Sequence, residues 1–539
     1  MEIRKLLVAN RGEIAVRVFR SARAEGIATV AVVAPDDRDS LHGREADERI
    51  EIRSYLDPEE HVRAARSAVA DAIHPGYGFL AENADFADAV EAAGLVFVGP
   101  APEALRRGGD KLAAKAAAEA AGVPVLPTGD PAEVGYPLMI KAAAGGGGRG
   151  MRVVASPAEL DDAVAAARRE AGAAFGDETV FFERYLLRAR HVEIQLLADA
   201  HGNVYSLGER ECSVQRRHQK VLEEAPSPAF DAALRAQVGS AAVAFAREIG
   251  YRSLGTAEFL LDGPDFYFLE LNGRIQVEHP VTEEATGLDL VALQLAVARG
   301  EELREPGVEL RRHAVEVRLY AEDPLTFLPQ AGRIERLRLP AGIRVDSGVA
   351  AGDEVGVAYD PMIAKLIAGG ASRAETLAAL ARALAETEVE GVTTNLPFLR
   401  WLVSHPVVRA GGATTAFLTE YAPLSGPPTA LPAGPWREPW RLNLPAPAPA
   451  PVPDPDAPVH EQHHTDARSS LTAPMPGTVI RVAVAAGDRV GPRQALVVLE
   501  AMKMETPVVA PYEAVVEAVH VAEGDRVAGG ALLVELADA

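Results

Sequence analysis

Two glutamates, Glu258 and Glu270, lie on consecutive strand-like runs separated by Asp262-Gly263-Pro264-Asp265. A three-residue loop would pair Asp262 with Phe266, and counting back four on each run sets Glu258 opposite Glu270. Two directly opposed carboxylates repel by up to roughly 1 kcal/mol in a sheet, and by far more when buried. A divalent cation between them removes the conflict, and oxygen ligands beside phosphate favour Mg²⁺ or Mn²⁺ over zinc. The run continues to His279, and if it stays extended, Glu270, Asn272, Arg274, Gln276 and Glu278 share one face, with Leu271, Gly273, Ile275 and Val277 on the other. A stripe of acid, amide, guanidinium, amide, acid is too costly for a core.

Other residues suit an anion. Tyr136 to Lys141 reads as a strand, and it leads into Gly145, Gly146, Gly147 and Gly148, whose backbone amides can converge on a phosphate without side chains in the way. No Gly-Lys-Ser/Thr follows, and a strand, Arg152 to Val154, continues where a Walker loop would start a helix. A plain glycine linker is the alternative. Arg216-Arg217-His218-Gln219-Lys220 concentrates cationic groups in a chain of 54 basic and 77 acidic residues, net −23. Such a balance disfavours nucleic acid or an anionic membrane as a general partner, so this cluster marks a local anion pocket or a solvated basic turn.

A third chemical feature is Lys503. Two β-branched runs flank Met502-Lys503 between Val497 and Val509, the pattern of a tight hairpin with its tip in solvent. Two of the chain's seven methionines bracket this lysine. Exposing them has no folding benefit, so a partner reads them.

The elements that must position these groups follow from periodicity. Lys5 to Asn10 and Ile27 to Val33 read as buried strands around a helix from Glu13 to Glu25, the start of a parallel α/β domain. Gly12 alone occupies the first turn, so the dinucleotide fingerprint is missing. His74 to Asn83 is a glycine-punctuated loop into another helix, and Lys111 to Gly122 is an alanine-rich helix. Residues 425–470 change character: Pro445 to Pro458 favours polyproline II and could span roughly 40 Å. Beyond it, Val484-Ala-Ala-Gly-Asp-Arg-Val490 recurs as Val521-Ala-Glu-Gly-Asp-Arg-Val527, and Ala473-Pro474 as Ala510-Pro511, each offset by 37 residues. Two similar halves in a flattened β sandwich are expected, with Lys503 at the hairpin joining them. The 539 residues suggest three or four domains, with 48% hydrophobic residues for their cores. The single cysteine, Cys212, excludes an intrachain disulfide and fits a reducing compartment. No signal pattern precedes Asn10 and no apolar run reaches about 18 residues, so a soluble, cytoplasmic protein is expected.

Ala501-Met502-Lys503-Met504 resembles the biotin attachment site of biotin carboxyl carrier domains, in which the lysine is biotinylated. Lys141 with its glycine loop resembles the lid of the ATP-grasp superfamily, and Phe182 to Leu186 resembles the segment that holds adenine. The likeness to biotin carboxylases runs on through Arg190 to Gln195, Glu209 to Lys220 and Glu270 to Pro280, with one departure: Gly273 stands where threonine or proline is common, which loosens the backbone. His313 to Pro324 also matches; there Glu316 and Arg318 share a strand face, and a structural ion pair competes with the family's biotin contact at the arginine.

The resemblance implies the α subunit of an acyl-CoA carboxylase: an α/β biotin carboxylase of ATP-grasp fold followed by an all-β biotinyl domain. It implies that Lys111, Lys141, Gly145 to Gly148, Glu183, Leu186, His191, Gln215, His218 and Lys220 hold ATP, and that Glu258, Glu270 and Asn272 hold Mg²⁺ or Mn²⁺. Arg274, Gln276 and Val277 would place bicarbonate for activation as carboxyphosphate, Glu278 would be its general base, and Arg318 would stabilise the biotin oxyanion. Expected domains are 1–110, 111–315 with a lid over about 126–186, 316–424, a tether at 425–470 and a carrier at 471–539. Expected partners are a carboxyltransferase β subunit, a biotin protein ligase and further copies of the chain in a larger complex. No carboxyltransferase domain fits in the chain, so its acyl-CoA is not readable, and the docking domain of longer α subunits is missing. Another ATP-grasp ligase with a lipoyl-type domain, or a non-catalytic carrier, are the rival readings.

Overall fold

One antiparallel sheet of eight strands carries most of the chemistry. The computed structural model describes residues 2–143, 151–216, 219–425, 470–501 and 504–538, in two separate units. In the first, the strands Asp265–Asn272, Ser253–Asp262, Arg190–Ala198, Val204–Arg216, Gln219–Ala225, His313–Tyr320, Met362–Gly370 and Arg344–Ser347 neighbour one another in that order. Period-two alternation sorts their side chains. Val192, Ile194, Ala257 and Phe259 point to one face, where they pack with Val238, Ala242 and Phe245 of the helix Ala232–Glu248. Burying each large apolar side chain there is worth about 1.5–3 kcal/mol. That leaves the other face able to carry His191, Glu193, Gln195, Thr256 and Glu258.

Before this sheet lies a parallel one. Glu48–Glu51, Ala28–Val33, Lys5–Val8, Ala72–His74 and Val96–Phe97 are its five strands in spatial order. Leu6, Leu7, Val8 and Val30 to Val33 are all buried, as expected of parallel strands covered on both faces. Asn10 donates to the carbonyls of Pro75 and Tyr77, each at 2.7 Å, and so fixes the loop after His74. Gly76 in that loop has φ +63, and an added Cβ would come 2.7 Å from Asn10 Nδ2, so only glycine suits. Asn83 then caps the helix Ala84–Ala92 by accepting from Phe86 N at 2.8 Å.

A small layer sits between the two sheets in sequence. Arg152–Val154, Leu138–Ala142 and Val180–Arg184 form three antiparallel strands under the helix Leu160–Phe175. After the main sheet, the helices Arg373–Glu386 and Leu396–Ser404 close a core of Val317, Leu319, Leu366, Leu380, Phe398 and Leu402.

The second unit contains two four-stranded sheets, ordered Ser470–Thr472, Leu532–Asp538, Ala514–Val519, Arg489–Val490 and Met504–Val509, Ala495–Ala501, Gly477–Val482, Arg526–Val527. The 37-residue offset maps Gly477–Val482 onto Ala514–Val519 and Ala495–Ala501 onto Leu532–Asp538. Each sheet therefore mixes strands of both repeats, and the core repeats too: Val479 with Val516, Leu496 with Leu533, Leu499 with Leu536. Ala501 pairs with Met504 at the end of a hairpin, while Met502 and Lys503 lie outside the described residues.

Two expectations change. The turn between Ser253–Asp262 and Asp265–Asn272 has two residues, Gly263 and Pro264, because Asp262 pairs with Asp265 and not with Phe266. Glu258 still faces Glu270, since a one-residue register shift beyond the Phe259–Phe268 pair compensates. Nor does the extended stripe reach Glu278: the strand ends at Asn272, and Glu278 caps the helix His279–Thr286.

Candidate active site on the polar sheet face

Arg210 is the hub of the polar face. It is fully buried and uses all five N–H groups: Nε on Glu193, Nη1 on Gln195 (2.6 Å) and Thr282 (2.9 Å), Nη2 on Thr256 (3.2 Å) and Gln276 (2.9 Å). A fully satisfied guanidinium ties its own strand to four other elements at fixed spacing, including the loop that carries Gln276. Gln276 Nε2 in turn donates to Glu258 Oε1 at 2.8 Å, and Asn272 Nδ2 donates to the same oxygen at 2.9 Å.

Cations converge beside it. Lys220 Nζ lies 2.5 Å from Glu193, 2.7 Å from Glu258 and 2.6 Å from Glu278. Arg318 Nη2 lies 3.0 Å from Glu278 and 2.5 Å from Glu223. Burial pushes Glu278 up, but Lys220, Arg318 and Arg210 outweigh it and hold the carboxyl well below the usual range. Burial lowers Lys220, yet its three glutamates more than reverse this, so it stays charged. At neutral pH an ionised carboxylate thus sits between two fixed cations.

Glu258 and Glu270 have unlike surroundings. Glu258 is opposed by burial but held well below its ordinary value by Lys220 and by His191, whose Nε2 is 2.8 Å away. Glu270 takes no ion pair or side-chain hydrogen bond among the described residues, and burial and Glu258 raise it against Lys111 and Lys141. An acid driven toward protonation beside an ionised one is the donor set a hard dication suits. Asn272 Oδ1, the third oxygen, accepts from Arg274 at 2.8 Å.

A second cationic cluster lies at the three-stranded layer. Lys141 and Lys115 both pair with Glu183, one on each oxygen, and all three are buried. Lys111, which opens the helix Lys111–Ala120, is lowered by burial and raised by Glu270. Three lysines against one ionised glutamate leave a positive surplus, which suits phosphate. Leu186 follows the strand Val180–Arg184. Gln215 Nε2 lies 2.9 Å from His191 Nδ1 and fixes the ring that meets Glu258. Val277 accepts from Lys365 at 2.9 Å. Gly145 to Gly148, His218 and Lys503 lie outside the described residues.

Two residues singled out in the sequence gain defined contacts at this site. Gly273 N–H donates to Glu82 at 3.1 Å, and Arg274 grips the same carboxylate at 2.9 Å. For Arg318 the alternative of an ion pair with its strand neighbour Glu316 is not the one formed; its anions are Glu223 on the sheet and Glu278. Glu193, Arg210, Lys115, Glu82 and Glu223 escaped sequence reasoning. For the first, alternation of His191, Glu193 and Gln195 was the available signal.

The geometry accords with comparisons to known proteins. Family models match as "Biotin carboxylase, N-terminal domain" at residues 2–105, "Carbamoyl-phosphate synthase L chain, ATP binding domain" at 110–306, "Biotin carboxylase C-terminal domain" at 316–420 and "Biotin-requiring enzyme" at 469–536. The chain is 49% identical over 441 residues to a biotin carboxylase of Halalkalibacterium halodurans, covering 78% of this chain and 98% of that one. It is 46% identical over 463 residues to a propionyl-CoA carboxylase alpha chain of Ruegeria pomeroyi, covering 78% and 68%. A crystal structure of a Campylobacter jejuni biotin carboxylase in complex with beta-gamma-ATP superposes with TM-score 0.76 at 40% identity, over 78% of this chain and 99% of that one. The chain belongs to the biotin carboxylase family: it is an ATP-dependent ligase of ATP-grasp fold joined to a biotin-requiring domain. Among the described residues no helix is long and apolar enough to cross a membrane.

Proposed function

We propose that this chain carboxylates biotin carried on its own Lys503, as the biotin carboxylase and carrier subunit of an acyl-CoA carboxylase. The observation that carries the reading is Glu278, ionised between Lys220 and Arg318. As the general base, it takes the proton of bicarbonate while the bicarbonate oxygen attacks the terminal phosphorus of ATP, giving carboxyphosphate and ADP. Lys220 has a second task. Drawn to the phosphates of ATP, it leaves Glu278 with one cation fewer, and the basicity of that carboxylate rises at the moment it is needed. Arg274, Gln276 and Val277 place bicarbonate, Lys111, Lys141, Gly145 to Gly148, Glu183, Leu186, His191, Gln215 and His218 hold ATP, and Glu258, Glu270 and Asn272 hold Mg²⁺ or Mn²⁺. When bound, the metal would neutralise phosphate charge, and biotin would supply the ring nitrogen that takes up the CO₂ released together with phosphate from carboxyphosphate, its N–H proton passing to that phosphate. Arg318 would meet the biotin oxygen where negative charge develops.

The domain limits we propose are 1–110, 111–315, 316–424, the tether at 425–470 and the carrier at 471–539. A carboxyltransferase subunit and a biotin protein ligase complete the set of partners; relatives named as propionyl-CoA and methylcrotonoyl-CoA carboxylase subunits support the acyl-CoA class. The test is bicarbonate-dependent ADP release with free biotin, together with intact mass. Glu278→Gln should abolish the release, and Lys503→Arg should keep it while losing the biotin adduct. A Lys503→Arg protein that still gains the adduct would remove the attachment site.

A further inference from the structure

Glu223 and Glu316 are two wholly buried acids of the polar face that the proposed mechanism leaves unused; a third, Glu193, is already paired with Arg210 and Lys220. They are cross-strand partners in the antiparallel pair Gln219–Ala225 and His313–Tyr320, so their side chains leave the same face side by side. Neither is exposed to solvent. Both oxygens of each acid lack a hydrogen-bond partner, but Glu223 Oε1 meets Arg318 Nη2 at 2.5 Å as an ion pair, whereas Glu316 makes no ion pair among the described residues. A buried carboxylate with two bare oxygens, no ion pair and another acid beside it is not a stable charged state, whereas a carboxylic acid there is.

Arg318 itself is constrained from the other side. Its cross-strand partner on Met362–Gly370 is Lys365, a like charge, whose amine turns away to Glu13 at 3.1 Å and to the carbonyl of Val277. Asn395 anchors the Arg318 backbone carbonyl at 3.0 Å. What remains to aim the guanidinium is a pair of carboxylates at one nitrogen, Nη2: Glu223 at 2.5 Å and Glu278 at 3.0 Å.

We propose that Glu223 is a positioning residue for biotin carboxylation: its carboxylate holds the Arg318 guanidinium against Glu278, while Glu316 stays a neutral acid that does not compete for the arginine. This rests on the reading of Arg318 given under Proposed function. Its consequence is a dependence of turnover on the charge of Glu223, because a protonated Glu223 removes one of the two anions that hold Arg318 Nη2. Burial, countered by Arg318 and Lys220 and reinforced by Glu278, pushes Glu223 up to about 7. Burial first, then Glu223 and Glu278 against Lys365 and Arg318, puts Glu316 well above the ordinary range. These are the charged groups facing the pair from the neighbouring strands and from the start of the helix His279–Thr286.

The experiment uses the full chain with free biotin, measuring kcat and KM across roughly pH 6 to 9. Wild type should gain rate through about pH 7. Glu223→Gln should lose about tenfold in kcat at the upper end, keep the KM for ATP and lack that rise; Glu223→Asp should recover part of it. Glu316→Gln, which copies a neutral acid, should keep the wild-type rate and profile. Wild-type kcat and pH profile in Glu223→Gln would overturn the inference, as would a Glu316→Gln profile shifted as far as that of Glu223→Gln. If Glu223→Gln fails to fold, an Asp variant with unaltered profile and biotin KM would overturn it equally. A wild-type chain without biotin-dependent turnover would refute the reading beneath it instead.

Discussion

Glu258 and Glu270 stand opposite each other across two antiparallel strands, yet one is wrapped in cations and amides and the other is not. Removing either charge should weaken Mg²⁺ and lower ATP turnover by orders of magnitude. Stability should split the two. Glu270→Gln relieves a like-charge pair and should raise the melting temperature in chelator, by an amount set by about 1 kcal/mol. Glu258→Gln removes the ionic partner of His191 and one of the three carboxylates around Lys220, which keeps Glu193 and Glu278, and should lower it by about 1–2 kcal/mol in the same terms. Magnesium titrations and melts in chelator check both, and equal shifts of one sign would contradict the asymmetry.

Lys115 shares Glu183 with Lys141. Lys115→Met should leave Lys141 as the only cation on that carboxylate, bind it more tightly there, and so withdraw it from phosphate. A rise of about tenfold in the KM for ATP is expected, with kcat near wild type. Because Glu183 keeps one partner, the loss of stability should stay at about 1–2 kcal/mol, below that of a fully broken buried pair. Steady-state kinetics at saturating bicarbonate, with a thermal melt alongside, measure both.

Two histidines predict an acid limb in stability. His42 Nδ1 accepts from Gly12 N at 3.3 Å while Nε2 meets the Val32 carbonyl, and His74 Nδ1 accepts from Gly76 N at 3.0 Å while Nε2 meets Gln294. Each ring must be neutral, and burial pushes both down to about 4 from 6.5. The unfolded chain therefore binds protons first, so stability is present above 6.5 and is lost as pH falls from 6.5 towards 4. Each ring can contribute up to about 3 kcal/mol. His74→Gln should lower the melting temperature at pH 8 yet flatten its decline below 6.5, and an unchanged slope would count against the assignment.

The proline tract between the two units should act through reach. Replacing residues 445–458 with Gly/Ser of equal length should change coupled acyl-CoA carboxylation modestly, while deleting them should lower it sharply and leave turnover on free biotin intact. Coupled activity that survives deletion would mean that residues 425–444 and 459–470 suffice.

Local chemistry made much of this molecule legible from its sequence. A period-two alternation places His191 and Gln195 on one face whatever the fold, the 37-residue repeat requires two like halves, and Met502-Lys503 between β-branched runs requires a tight turn. The opposition of Glu258 and Glu270 was also readable, although through a loop one residue too long that a bulge cancels. What tertiary structure alone decided is which strands become neighbours. Lys220 meets Glu278 across 58 residues, Arg17 meets Glu283 across 266, and Arg318 finds Glu223 where its own strand offers Glu316. Glu278 arrives at the site from a helix cap and not from an extended stripe. Sequence fixes which face a side chain leaves by, because backbone geometry is local. It cannot fix which charge that side chain meets, because partner choice follows from the order of strands in the sheet, and burial then sets how strongly each pair shifts the other.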